Sequence, residues 1–89
     1  MSDRPIHIPI EGELDLHAFA PRDIAGVVAD YVDAAVEAGL REVRLIHGRG
    51  SGRQRDAVRR VCAEHPRVAS YADAPPDLGG WGATVVRLR

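Results

Sequence analysis

Leu14 and Leu16 alternate with Glu13, Asp15 and His17. This is the period-two pattern of a strand with one apolar face, and the strand is read as ending at His17. Pro21 then suits a first helical turn, and Ile24, Val28, Tyr31, Ala35 and Ala38 follow at intervals of three and four. The spacing predicts a helix of about five turns at ~3.6 residues per turn, stopped by Gly39 in a left-handed conformation. Val43 to Ile46 is a short apolar run between Gly39 and Gly48, which predicts a buried strand. Ala57, Val58, Val61 and Cys62 form the stripe of a second helix that His65-Pro66 ends. Val68 to Tyr71 is a third strand, Ala74 to Gly82 a loop rich in proline and glycine, and Ala83 to Leu88 a last strand. At the start of the chain Ile6, Ile8 and Ile10 alternate around His7 and Pro9, so residues 1–9 read as an arm or an edge strand.

The order is therefore β-α-β-α-β-β, an α/β fold. A helix joins the first two strands, which makes them parallel. The expected architecture is a two-layer sandwich, a mixed four-stranded sheet with both helices on one face. The expected core is Leu14, Leu16, Ile24, Val28, Val43, Leu45, Val58, Val61 and Val85 or Val86, and the uncovered face should be more polar or engage a partner. A chain of 89 residues supports one core, so residues 10–89 are read as one domain and a second is excluded. The core should be aliphatic, because the hydrophobic fraction of 45% includes only Phe19, Tyr31, Tyr71 and Trp81 as aromatics.

No stretch approaches the roughly 20 apolar residues that span a bilayer, and the N-terminus lacks a signal-peptide pattern. The expectation is a cytoplasmic protein without a membrane partner. Cys62, the sole cysteine, cannot form an internal disulfide and reads as a core thiol.

The net charge of −1 conceals a separation. From Glu11 to Glu42, the acids Glu11, Glu13, Asp15, Asp23, Asp30, Asp33, Glu37 and Glu42 outweigh Arg22 and Arg41. From His47 to Arg67 the balance reverses, with Arg49, Arg53, Arg55, Arg59, Arg60 and Arg67 against Asp56 and Glu64. Within that basic segment, His47-Gly48-Arg49-Gly50-Ser51-Gly52-Arg53 leads from a strand into a helix. Its alternating glycines let the backbone approach an anion, and the helix N-terminus adds partial positive charge. The reading is a phosphate-binding loop, with a merely tight turn as the alternative. It is neither a Walker A loop nor a dinucleotide fingerprint. Asp15 and His17, two apart on the expected strand, project on one face. With His47 they fall at the carboxyl ends of adjacent parallel strands, where ligands of open α/β sheets bind. His7, in the arm, and His65, at a helix terminus, are not assigned to the site.

Leu14-Asp15-Leu16-His17, His47-Gly48-Arg49-Gly50-Ser51-Gly52, His65-Pro66 and Gly79-Gly80-Trp81-Gly82-Ala83-Thr84, in this order, resemble the Smr (small MutS-related) domain over essentially its whole length. The resemblance implies a two-layer α/β sandwich related to the C-terminal domain of a bacterial translation initiation factor. It also implies DNA nicking or RNA endonuclease activity. Asp15 and His17 match the family's Leu-Asp-x-His motif, and His47, Gly48 and Gly50 its His-Gly-x-Gly motif. Arg55 falls where the family often has an arginine. Ala18 stands where a glycine usually follows the first motif, and Gln54 where a leucine usually precedes that arginine.

Two mechanisms fit these residues. In RNA cleavage, His17 or His47 takes the ribose 2′-OH proton while the other protonates the leaving oxygen, Asp15 orients His17, and Arg49, Arg55 and the loop N–H groups stabilise the charge. This route requires no cofactor and is preferred. The alternative places a divalent ion, Mg or Mn, on Asp15 and His17, although one carboxylate is a thin ligand set for Mg²⁺. The expected partner is nucleic acid, DNA or RNA, held by Gly48, Arg49, Gly50, Ser51, Gly52, Arg53 and Arg55. Trp81 is read either as stacking on a base or as covering the sheet edge. Two other classes stand beside a nuclease: a non-catalytic nucleic-acid-binding module using the same loop, and a metabolic enzyme with a phosphorylated substrate.

Overall fold

The computed structural model describes residues 12–89. The arm or edge strand expected over residues 1–9 lies outside them, as does the beginning of the domain at residue 10. The described chain forms strand β1 (Glu13–Asp15), helix α1 (Ile24–Glu37), strand β2 (Glu42–Ile46), helix α2 (Arg53–Glu64), strand β3 (Val68–Asp73) and strand β4 (Ala83–Leu88). The sheet order is β1-β2-β4-β3. β1 and β2 run parallel, while β4 is antiparallel to both β2 and β3. This is the expected mixed α/β sheet.

The first strand is shorter than the alternation suggested. It stops at Asp15, and Leu16–Ala18 turn as a single 3₁₀ turn. The physical reason is local, because the Asp15 side chain accepts the N–H of His17 and caps the turn. Leu16 is still fully buried, so the apolar position was read correctly while its backbone was not. Ala18, where the resemblance expected a glycine, has no positive φ and carries no left-handed strain.

Helix α1 follows another 3₁₀ turn, Pro21–Asp23. Ile24, Val28, Val32 and Ala35 form its buried stripe, with Tyr31 partly buried beside it. Ala38, expected on the stripe, is instead the exposed C-cap. The helix ends there because Gly39 adopts φ 84°. The N–H of Gly39 bonds to Val36 O at 3.0 Å and that of Leu40 to Ala35 O at 3.0 Å, which satisfies carbonyls the helix would otherwise leave unpaired.

Both helices pack on one face of the sheet. Val28, Val32 and Ala35 of α1 and Val58 and Cys62 of α2 share one cluster with Val43, Leu45, Val68 and Val86 of the strands. Leu14 and Val61, expected in the core, pack against that cluster as partly buried residues. Burial pushes the Cys62 thiol up to about 11, so it stays protonated and packs as a small hydrophobe. Across the shared layer His65 donates from Nε2 to Asp33 Oδ1 at 2.8 Å, while its Nδ1 accepts the Arg67 N–H at 3.0 Å. His65 therefore fastens the end of α2 to α1. The opposite sheet face carries Arg44, which bonds Glu13 and donates to Leu78 O at 2.8 Å, and the Arg87–Glu42 pair. It is the polar face.

The one-sided core makes a direct prediction. Leu45→Ala should lower the unfolding free energy by about 2–5 kcal/mol, the usual cost of emptying a packed aliphatic site. Arg87→Ala, on β4 and with its side chain 71% exposed, should stay within about 0.5 kcal/mol. Urea unfolding of the two variants checks this, and equal losses would contradict the layer assignment.

Candidate functional site

Asp15 and His17 meet through the turn rather than along a strand. Asp15 Oδ1 accepts the His17 backbone N–H at 2.9 Å and faces His17 Nδ1 at 2.6 Å. A carboxylate that accepts these N–H groups is stabilised in its charged form. The Asp15 carboxyl is accordingly held below its ordinary value, first by the backbone N–H of His17 and then by the side chain. Because Nδ1–H points to the carboxylate, Nε2 is the unprotonated nitrogen of the neutral ring. The ring lies over Gly48, where an ideal Cβ would stand 2.8 Å from Nε2. Gly48 also adopts φ 82°. Both features require glycine there.

A cleft of about 380 Å³ opens at this end of the sheet, lined by His17, Pro21, His47 and the continuous segment Gly48–Arg55. The segment is the β2–α2 loop and the first turn of α2. Gly52 takes φ 87° at the N-cap, and the Ser51 hydroxyl lies 3.4 Å from the Arg53 N–H. The N-terminal end of the α2 helix dipole supplies positive potential at the cleft wall.

His47 occupies a different position from His17. It is buried, with Nδ1 2.9 Å from Gly48 O and Nε2 2.9 Å from Thr84 Oγ1. A carbonyl only accepts, so Nδ1 donates and Nε2 accepts the Thr84 hydroxyl. Burial pushes the His47 imidazolium below its ordinary range, with Arg55 and Arg59 adding to the effect and Gly48 O opposing it. The backbone N–H groups of His47 and Gly48 also both reach Gly82 O, at 3.1 and 2.8 Å. The loop is thereby bolted to the segment that precedes β4.

The arginines divide by their contacts. Arg49 lies across the Gly79–Gly82 turn, with Nη2 3.4 Å from Gly79 O. A Cβ on Gly82 would sit 3.1 Å from Arg49 Cγ, so glycine there makes room for its stem. Arg55 reaches Asp73 Oδ1 at 2.8 Å and lies 5.5 Å from the Trp81 ring centroid. Arg59 reaches the same oxygen at 2.6 Å and lies 5.5 Å from the Tyr71 ring. Asp73 is held below the usual carboxylate range, first by the Arg55 hydrogen bond. Arg53 is exposed. Sequence reading assigned no role to Asp73 or Thr84. The signal for Thr84 was its place in the Gly79–Thr84 motif, whereas Asp73 sits at a strand end and becomes visible only when β3 pairs with β4 and faces α2.

No group of three or more His, Cys, Asp or Glu side chains among the described residues could hold a metal ion. Asp15 and His17 point at one another at 2.6 Å, not around a common third point.

These features define a two-layer α/β domain with a glycine-walled cleft at the carboxyl ends of its parallel strands, bordered by a carboxylate–imidazole pair. The Smr domain model matches residues 14–89, and the chain belongs to the Smr domain family. The crystal structure of the Smr domain of Thermus thermophilus MutS2 superposes with a TM-score of 0.83 at 40% identity, covering 89% of this chain and 99% of that one. YdaL, a stand-alone small MutS-related protein from Escherichia coli, superposes with a TM-score of 0.81 at 32% identity, covering 88% of this chain and 64% of that one. Endonuclease MutS2 of Shouchella clausii is 40% identical over 80 residues, 90% of this chain and 10% of that protein. The chain thus spans about a tenth of the length of the curated relatives it matches.

Gly48→Ala should cost about 1–2 kcal/mol from the left-handed backbone alone and should also displace the His17 ring. Gly50→Ala, with nothing within 4 Å of its Cβ and no positive φ, should remain within about 0.5 kcal/mol. Thermal or urea unfolding of both distinguishes them, and a neutral Gly48→Ala would remove the argument for a loop shaped around His17.

Proposed function

We propose that this domain binds nucleic acid in the cleft and cleaves its phosphodiester backbone, with His17 as the acid–base group. The observation that carries this reading is the His17 ring, its Nδ1 facing Asp15 and its Nε2 poised over Gly48 in a cleft lined by the Gly48–Arg55 segment. The names of relatives in MutS2, endonucleases, point the same way.

On RNA, Nε2 of His17 takes the 2′-OH proton and the 2′ oxygen attacks the adjacent phosphorus. The P–O5′ bond then breaks, and the proton held by His17 passes to the leaving 5′ oxygen. Asp15 fixes the ring tautomer and stabilises the imidazolium that forms in between. The α2 N-terminus, the glycine loop, Arg49 and Arg53 hold the phosphate and its developing charge. His47 has a supporting part in this scheme, not the reciprocal acid–base part expected from its place in the sequence, since Gly48 O and Thr84 engage both of its ring nitrogens. The donor set around Asp15 favours the route that needs no metal.

The test is a comparison of His17→Ala with the unaltered protein on labelled RNA and DNA, each with and without EDTA. Loss of an acid–base group should slow cleavage by roughly 10²–10⁴-fold. Affinity and melting temperature should be nearly unchanged, because the His17 side chain is 61% exposed. A parallel fall in rate and affinity would make His17 a binding residue. If the unaltered protein binds but cleaves nothing, a non-catalytic binding module replaces the nuclease. Binding that is insensitive to salt would indicate a pocket for a single phosphorylated molecule instead.

A further inference from the structure

The large hydrophobic side chains exposed among the described residues are Phe19, Leu78 and Trp81, at 36%, 46% and 41%. All three lie at one end of the sheet. Phe19 follows the end of β1, and Leu78 and Trp81 lie between the end of β3 and the start of β4. Asp15 pairs with Ile46, Ile46 with Ala83 and Thr84 with Asp73, so these strand ends share the edge where the cleft opens. Exposed apolar side chains concentrated on one edge mark a contact surface.

Trp81 is also held in place. It stands between Gly80 and Gly82 in a 3₁₀ turn closed by the Gly82 N–H to Gly79 O bond of 3.0 Å. Arg55 lies over its ring at 5.5 Å and is itself fixed by Asp73. Arg55 lines the cleft as well, so one side chain separates the indole from the phosphate loop. On the other wall, Phe19 stands two residues from both His17 and Pro21, which line the cleft too. A rigid aromatic beside an anion site, backed by a guanidinium, has the chemistry of a stacking platform for a nucleobase.

We propose that Trp81, held by Arg55, stacks an unpaired base next to the phosphate bound in the cleft, and that the site therefore takes single-stranded nucleic acid in preference to duplex. This rests on the nucleic-acid reading above and adds the substrate class. In a paired duplex both faces of each internal base are already stacked on neighbours. A base must leave that stack to lie on an indole, and a single strand surrenders it at little cost.

Trp81 is the chain's one tryptophan, so its emission reports on this position alone. The full chain is titrated at low salt with a fluorescein-labelled 12-nucleotide mixed-sequence RNA, with an abasic phosphodiester strand of equal length, and with the matching duplex. Anisotropy follows binding, and indole emission follows stacking. The base-containing strand should bind most tightly and quench Trp81, while the abasic strand should bind more weakly without quenching. Trp81→Leu should weaken binding of the RNA strand by about 5- to 150-fold and leave the abasic strand unaffected, with Trp81→Phe in between. Circular dichroism melting of both variants reports whether the fold is kept, and the comparison of strands on the unaltered protein needs no variant. Equal affinity for base-containing and abasic strands, with unchanged emission on binding, would overturn the stacking proposal and leave nucleic-acid binding standing. Tighter binding of the duplex would overturn the substrate class. No binding of any strand by anisotropy would overturn the functional reading, and this proposal with it.

Discussion

One contact set governs the site: the attachment of the β2–α2 loop to Gly82 and Thr84. Gly82 O takes the N–H groups of both His47 and Gly48, and the Thr84 hydroxyl meets His47 Nε2 from β4. A glycine-rich loop has high conformational entropy and would otherwise sample many shapes. Here two backbone bonds and a buried imidazole restrict it. Gly48 is then presented under the His17 ring, and Arg49 is laid along the Gly79–Gly82 turn. The histidine of the glycine motif thus acts as an internal fastener, while the histidine of the Asp-x-His motif faces solvent. Two residues of one type differ in role because one is buried between a carbonyl and a hydroxyl and the other is not.

The charge pattern acquires a more specific meaning in three dimensions. The basic segment from His47 to Arg67 suggested a broad cationic footprint, yet part of that charge is used within the fold. Arg55 and Arg59 share Asp73, and Arg67 Nη2 donates to Arg89 O at 3.0 Å. Arg53 and Arg60 are exposed, and the side chain of neither has a hydrogen-bonding partner among the described residues. The cation most directly available to a phosphate in the cleft is therefore Arg53, at the first position of α2. There its charge and the helix N-terminus act on the same point. Arg55 is better suited to holding Trp81 than to following a backbone.

Most of the fold was legible because each element carries its own punctuation. Gly39 and the His65-Pro66 step end helices where expected, the His47–Arg53 run leads into α2, and β4 runs over Ala83–Leu88 as its composition indicated. Strand β2 was read as an apolar run buried throughout, whereas only Val43 and Leu45 face the core and Arg44 between them turns to the polar face. What escaped was conformation decided by a side chain acting on nearby backbone. Asp15 accepting the His17 N–H converts an apparent strand into a turn at Leu16, which no periodicity reveals. The helix stripe was misread at Ala38 because the Gly39 cap takes effect one residue sooner. Topology was enough to bring Asp15, His17, His47 and the glycine loop to one end of the sheet, since strand carboxyl ends gather there. Their division of labour was not legible, because it depends on Thr84, thirty-seven positions beyond His47, and on Asp73 meeting α2.

The central claim is that His17 and His47 hold different states, one ring open to ligand and the other locked inside. Imidazole ¹⁵N NMR measures this directly, since it resolves tautomer and charge for each ring as pH is lowered from 8. His47 should be a neutral Nδ1–H tautomer and should remain neutral as pH falls through 6.5, the ordinary histidine value from which burial lowers it. The unfolded chain takes up that proton near pH 6.5, so the stability His47 contributes is present above this pH and is lost as pH falls towards its folded value. Adding a short RNA strand should move the His17 Nε2 resonance and leave His47 unchanged. A His47 ring that titrates at or above pH 6.5, or that responds to the strand while His17 does not, would contradict the account.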